Sequence, residues 1–342
     1  MKLIKWLALL AVLVVAGTGV GWWRVSTYLR TPLAVEAPVD FEVKQGDALR
    51  SVLQRLHERA LLPRPDWLYA YARLTDRSRV LAGAYRLGTN ETPRSLLTKI
   101  NNGAVRTEQF TLAEGLNRWE VRDLLAADGW MQAATFDRYC DDAEFLAAHG
   151  IPGPTCEGYL YPETYTFARG VPPKRIFAEL FASFSRVYRD VTAHGAQTGP
   201  LDFNKREFAT LASIVEKETA AAQERPRIAC VFYNRLQADP PWRLETDPTV
   251  IYAATLEDPD FDGDIKRKHL RRMDNPYNTY QTYGLPPGPI ANAGRGAFAA
   301  VADPTSCEDF FFVSRNDGTH VFCPTLACHR AAVRKWQIEY FR

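Results

Sequence analysis

Apolar positions along the chain fall into distinct regimes. From Trp6 to Trp23 they form an uninterrupted run of apolar and small residues, preceded by Lys2 and Lys5 and closed by Arg24. A helix that crosses a bilayer needs ~17–25 such residues, so the run predicts a single-pass anchor over residues 1–24. Tryptophans at both ends suit the two interfaces, and the lysines favour an N-terminus held in the cytoplasm. A cleaved leader is the rival reading. Its passable cleavage site, Val15-Ala16-Gly17, falls inside the run rather than after it. Residues 25–39 then read as a linker, because Thr31-Pro32 and Ala37-Pro38 break any helix.

Residues 40–109 carry strand, polar turn and helix, twice over. Phe41-Glu42-Val43 alternates, Gln45-Gly46-Asp47 turns, and Leu49, Val52, Leu53 and Leu56 recur at helical spacing. Tyr85-Arg86-Leu87 is again strand-like, Thr89 to Pro93 leads on, and Leu96, Leu97 and Ile100 recur in the same way. Arg50-Ser51-Val52-Leu53 followed by Leu56 matches Arg94-Ser95-Leu96-Leu97 followed by Ile100. The scheme resembles a small α/β module of the LysM glycan-binding type. A spacer without ligand would show the same core periodicity.

From Phe110 to the C-terminus the pattern becomes that of a larger mixed α+β domain, with capped helices, Pro/Gly-rich loops and frequent tyrosine and tryptophan. Phe310 to Val313 and Thr319 to Phe322 flank Asn316-Asp317-Gly318, which predicts a hairpin. The most informative helix runs from about Lys205 to Thr219, and Asn204 with Glu207 has the spacing of a capping box. Phe208, Leu211, Ile214 and Val215 make its apolar stripe. Glu218 lies on that stripe, within ~20° of Leu211, whereas Glu216 points ~160° away and is expected to face solvent.

A carboxylate on a buried stripe is costly unless paired or used, and burial raises its pKa toward the range of a general acid. Periodicity alone leaves two readings for Glu218: an acid–base, or the last residue of a helix, paired with Arg225 or Arg235. Asp247 reads as the N-cap of a helix whose first residue is Pro248.

Composition adds limits. The 342 residues carry a net charge of +2, so no global field favours nucleic acid. The basic run Lys266-Arg267-Lys268 with Arg271-Arg272 reads as a solvated face. Six cysteines suit an oxidising compartment. Cys140 and Cys156 bracket a loop poor in regular structure and are expected to pair. Cys307–Cys328 is the second expected bridge, the two falling nearly opposite across the hairpin. Cys230 reads as a small buried hydrophobe. Cys307, Cys323 and Cys328 with His320 and His329 could instead hold zinc, but no CxxC or HxxxH pair is present.

Several motifs in order carry a family resemblance. Ala212-Ser213-Ile214-Val215-Glu216-Lys217-Glu218-Thr219, Val231-Phe232-Tyr233-Asn234-Arg235-Leu236 and Thr246-Asp247-Pro248-Thr249-Val250-Ile251-Tyr252 are similar to motifs of the MltG-type family of endolytic murein transglycosylases. Tyr277-Asn278-Thr279-Tyr280 and Gly284-Leu285-Pro286-Pro287-Gly288-Pro289-Ile290 match as well. Glu245, where relatives often have glutamine, departs from the pattern, as do Cys323 and Cys328.

The resemblance implies that residues 110–342 are the catalytic domain and that Glu218 is the acid–base. Thr219, Asn234, Asp247, Asn278, Tyr280 and Glu163 would contact substrate. It implies no cofactor and no metal. The implied substrate is the peptidoglycan glycan strand, cut beside the cytoplasmic (inner) membrane from its outer side, with peptidoglycan synthases of the penicillin-binding class as partners. An anchored, non-catalytic glycan-binding scaffold is the alternative, in which Glu218 would be dispensable.

Overall fold

The computed structural model describes residues 2–44, 46–103, 107–192 and 199–340, without the side chains of residues 2–5, 7–16 and 272. Gln45 of the expected turn therefore lies outside the described residues. The chain forms two compact units, Met1–Gln109 with Thr166–Val171, and Phe110–Tyr165 with Pro172–Arg342.

The first unit contains α1 (Lys2–Arg30), β1 (Val39–Val43), α2 (Leu49–Glu58), α3 (Pro65–Leu74), β2 (Gly83–Leu87) and α4 (Pro93–Asn102). β1 and β2 pair antiparallel, with Val39 opposite Leu87 and Val43 opposite Gly83. Strand alternation turns Phe41, Val43, Tyr85 and Leu87 inward, onto Leu53 and Leu56 of α2 and Leu96, Leu97 and Ile100 of α4. Between the expected elements lies α3, which begins at Pro65 and buries Leu68, Tyr71 and Ala72.

The linker expected over residues 25–39 is helical as far as Arg30 and without regular structure over 31–38. α1 continues to Arg30, ending where Pro32 restricts Thr31, and Leu29, Leu33 and Val35 are buried in the same core. Among the described residues no helix is long and apolar enough to cross a membrane. Most side chains of the Trp6–Trp23 run, residues 7–16, lie outside the description.

β3 (Thr107–Thr111) pairs with β4 (Thr164–Ala168). The second unit holds α5 (Arg118–Ala127), α6 (Ala133–Cys140), α7 (Ala143–Ala148), α8 (Pro173–Thr192) and α9 (Lys205–Glu218). It continues with α10 (Arg225–Gln237), α11 (Asp247–Glu257), α12 (Arg267–Arg272) and α13 (Arg295–Ala302). The hairpin β5 (Phe311–Ser314) and β6 (His320–Cys323), followed by α14 (Leu326–Val333), completes it. α9 packs against α10, α11 and α13, so its stripe of Phe208, Leu211, Ile214 and Val215 is buried. The capping box at its start is formed as expected: Asn204 Oδ1 accepts from the Arg206 and Glu207 amides, and the Asn204 amide donates to Glu207.

Cysteine pairing agrees with the expectation at one bridge and departs from it at two. Cys140 pairs with Cys156, although the loop they close contains α7. Cys230 pairs with Cys307, and Cys323 with Cys328. The hairpin register places Ser314 opposite His320 and Phe311 opposite Cys323. The chain leaves the sheet after Cys323 and turns into α14, which carries Cys328 away from Cys307 and back onto Cys323. All three cysteines of the zinc alternative are thereby oxidised. His320 pairs with Glu224 at 2.7 Å, and His329 stacks on Phe311. Lys266, Arg267 and Lys268 are exposed.

Candidate active site

Glu218 is the last residue of α9, and Thr219 after it is already extended. The helix thus delivers the carboxyl group to the end of the buried stripe. One of its oxygens, Oε1, accepts a hydrogen bond from the Thr246 hydroxyl. Burial pushes the Glu218 pKa up to about 7, and the neighbouring charge of Asp247 pushes the same way. The Thr246 hydrogen bond and the charge of Arg235 oppose the rise without cancelling it.

Thr246 is itself held by a buried cluster of hydroxyls. Its amide donates to Thr279 Oγ1 at 3.0 Å, Thr249 Oγ1 donates to the Thr246 carbonyl at 2.8 Å, and the Thr249 and Thr279 hydroxyls lie 2.8 Å apart. With Thr279 donating to Thr249, each hydroxyl proton has one acceptor, and that of Thr246 is left to point at Glu218.

Asp247 departs from its expected role. Thr246 occupies the N-cap position, Asp247 is the first residue of α11, and no side-chain cap forms. The Asp247 carboxylate accepts from the Tyr280 hydroxyl at 2.7 Å instead. Burial, reinforced by that carboxylate, holds the Tyr280 hydroxyl far above its ordinary pKa.

Neither arginine pairs with Glu218. Arg235 is buried and donates to the carbonyls of Phe310 (2.8 Å) and Leu244 (2.5 Å). Arg225 pairs with Glu216 at 2.5 Å, with only 5% of the Glu216 side chain exposed. Glu216 therefore does not face solvent. Its second oxygen accepts from the Gly294 amide at 3.0 Å, and burial raises its pKa. The two glutamates have different partners, but Arg225 and the Gly294 amide before α13 enclose the face of Glu216 that was expected to be solvated.

The remaining candidates divide. Asn278 is buried; its amide donates to the carbonyls of His269, Leu270 and Met273, and its Oδ1 accepts from the Tyr280 amide, so it shapes the loop that carries Tyr280. Thr219 Oγ1 accepts from the Ala221 amide at 3.0 Å. Asn234 donates to the carbonyls of Cys307 and Asp309. Glu163 pairs with Arg186 at 3.4 Å. Glu218, Thr246, Asp247 and Tyr280 form one connected constellation, and the contacts of Asn234 and Glu163 lie elsewhere. Thr246, Thr249 and Thr279 were missed as functional residues; their presence in the two matching motifs was the available signal. Among the described residues no group of three or more His, Cys, Asp or Glu is placed to hold a metal ion.

Fold and site define a mixed α+β protein with a carboxyl group of raised pKa at the end of a buried helix, joined to a cluster of hydroxyls. The model of the YceG-like family matches residues 41–335, and the chain belongs to that family. It is 27% identical over 317 residues to an endolytic murein transglycosylase of Bacillus subtilis, covering 87% of this chain and 84% of that protein. A protein of the same description from Streptococcus pneumoniae is 24% identical over 309 residues, which cover 80% of this chain and 53% of the relative. The chain thus spans about half the length of the pneumococcal relative. A crystal structure of a YceG-like protein from Listeria monocytogenes matches with a TM-score of 0.56 at 28% identity, covering 87% of this chain and 99% of that one.

Proposed function

We propose that the chain is an endolytic lytic transglycosylase that cuts peptidoglycan strands between N-acetylmuramic acid and N-acetylglucosamine, with Glu218 as sole acid–base. The observation that carries this reading is the Glu218 carboxyl group, protonated up to about pH 7 and oriented through one oxygen by Thr246. The description of the Bacillus and pneumococcal relatives supports it.

In the proposed reaction Glu218 protonates the glycosidic oxygen as the bond breaks. Its carboxylate then takes the proton of the muramic acid C6 hydroxyl, whose oxygen closes on the anomeric carbon. The substrate supplies the nucleophile, so no second carboxylate is needed, in contrast to ordinary glycosidases. The Thr246 hydroxyl stabilises the carboxylate between the two transfers. Thr219, Asn234, Asp247, Asn278, Tyr280 and Glu163 are proposed to line or shape the glycan path. Trp242 and Tyr283 are exposed, and Arg243, beside Trp242, stacks over Tyr283, which supports sugar binding near the segments that carry Thr246 and Tyr280.

The antiparallel β1–β2 pair enclosing α2 and α3 supports a LysM-like role for the first unit. The Trp6–Trp23 run supports a single-pass anchor in the cytoplasmic (inner) membrane, and the three disulfides support an extracytoplasmic position for the second unit. Peptidoglycan synthases at that membrane are the proposed partners.

Digestion of purified peptidoglycan followed by mass analysis tests the function. Products should end in 1,6-anhydro-N-acetylmuramic acid, one water lighter than hydrolysis products. Glu218→Gln should lose roughly 10²–10⁴-fold in rate. Reducing muramic acid ends would sink the single-carboxylate mechanism and point to Asp247 as a second carboxylate. Full activity in Glu218→Gln would remove the assignment altogether.

A further inference from the structure

The second unit contains a small cavity, of about 90 Å³, whose lining includes Arg118, Glu157, Tyr159, Arg206, Tyr252 and Tyr277. It lies toward the start of α9, whereas Glu218 ends that helix; Arg206 and Glu218 are ~18 Å apart along the axis at 1.5 Å per residue. Four buried polar atoms of residues that line it have no hydrogen-bond partner among the described residues: Arg118 Nε, Arg206 Nε, Glu157 Oε1 and the Tyr159 hydroxyl. Native interiors rarely leave one such atom unpaired, and each costs about 1–3 kcal/mol. Four around one space mark a site shaped for something polar.

The chemistry of the four atoms selects the guest. Both Nε atoms and the tyrosine hydroxyl are donors. Glu157 is only 3% exposed, and its Oε2 already accepts from the Arg118 amide (3.1 Å) and the Tyr252 hydroxyl (3.2 Å). Burial pushes its pKa up to about 7, so near neutrality Oε1 can carry a proton and donate as well. Three of the four atoms can donate as they stand, and Glu157 joins them when protonated, so the set favours an anionic acceptor. Charge sets which one. Arg118 is already paired with Asp141 at 2.6 Å, which leaves the Arg206 guanidinium without a carboxylate partner among the described residues. One free positive charge beside a titrating carboxyl group matches a monoanion better than a phosphate, which bears up to two charges near pH 7.

Size narrows the choice further. A cavity of ~150 Å³ admits benzene. The space here is smaller, and takes a carboxylate with the one or two carbons behind it but no sugar ring. The backbone supports the cradle: a Cβ at Gly288 would lie 3.2 Å from the Tyr277 hydroxyl and 3.6 Å from Arg206 Nε, so any side chain there would crowd the guest.

We infer that this cavity is a carboxylate-binding pocket distinct from the Glu218 site, built to take a small terminal carboxylate. If the chain acts on peptidoglycan, as proposed above, the C-terminal carboxylates of the peptide side arms are the polymer's supply of that group. A free small carboxylate is the other source.

Titration calorimetry on the full chain tests the pocket without relying on cleavage. The probes are N-acetyl-D-alanine, its neutral N-methylamide, acetate and inorganic phosphate. N-acetyl-D-alanine should bind saturably, and the methylamide about 10-fold more weakly or worse, because it cannot form the charge-assisted hydrogen bonds. Arg206→Gln should weaken the acid by a similar factor. Glu218→Gln should leave binding unchanged, which separates failure of the pocket from failure of the proposed reaction. Acetate binding as tightly as N-acetyl-D-alanine would assign the pocket to free small carboxylates, and a clear preference for N-acetyl-D-alanine would assign it to peptide ends. Equal binding of acid and amide, preference for phosphate, or no saturable binding up to ~10 mM would overturn the inference. The acid–amide comparison uses the unaltered protein, so it stands even if Arg206→Gln fails to fold.

Discussion

Glu218 shows how a helix end can hold a proton at neutral pH. In the unfolded chain its carboxyl group titrates near 4.5, and in the folded protein near 7. Between those values folding takes up a proton, so the contribution of Glu218 to stability falls as pH rises through that window and is flat above it. The full penalty is roughly 3 kcal/mol at 1.36 kcal/mol per unit. Glu218→Gln cannot ionise. It should therefore melt higher than the parent protein at pH 8 and show little difference at pH 4, a comparison that thermal unfolding at the two pH values settles. Equal melting shifts at both would mean that burial does not govern this group. Thr246 acts through Glu218. Its hydroxyl favours the ionised form, so Thr246→Val should raise the Glu218 pKa, move the alkaline fall of kcat/KM to higher pH, and cost about 10-fold or more in kcat. Thr246→Ser, which keeps the hydroxyl, should restore the parent profile. A purely structural role for Thr246 would lower activity without moving the profile.

At the level of elements, α9 was legible because its signals are local: a capping box at one end, a four-residue apolar stripe, and a carboxylate where the stripe runs out. The β5–β6 hairpin was legible for the same reason, with Asn316 (φ +65°) and Gly318 (φ +86°) supplying the left-handed turn that Asn-Asp-Gly allows. What the sequence could not reveal depends on partners distant along the chain. Glu216 sits opposite the stripe and looked solvated, yet Arg225 and the Gly294 amide close over it. Cys230 looked like a plain hydrophobe because its partner lies 77 residues away. The hydroxyl relay through Thr246, Thr249 and Thr279 joins two motifs that only the fold brings together. The burial of Glu216 carries its own consequence. Glu216→Ala leaves Arg225 charged and largely enclosed, and should cost roughly 3 kcal/mol in denaturant unfolding. The folded fraction should still turn over within a small factor of the parent rate, because proton transfer belongs to Glu218. Unchanged stability would show that Glu114, 3.5 Å from Arg225, suffices as its partner.

Across the whole molecule, all six cysteines lie in the second unit, and the Cys230–Cys307 bridge closes its longest loop. Inside that loop, residues 258–268 are mostly exposed and end on Lys266-Arg267-Lys268, which brief trypsin treatment should cut first. Such a cut would divide the active site between two polypeptides. Glu218, Thr246 and Asp247 would belong to one piece, and Thr279 and Tyr280 to the other. The bridge also spans the cut, with Cys230 on the first piece and Cys307 on the second. The nicked protein should migrate as one band without reductant and as two with it. Before reduction the halves remain at millimolar effective concentration, enough to keep the threonine relay assembled. The second unit is in this sense a two-part enzyme joined by one covalent stitch: severing the main chain at this exposed stretch should leave it working, and only the loss of the sulfur link should let its halves drift apart.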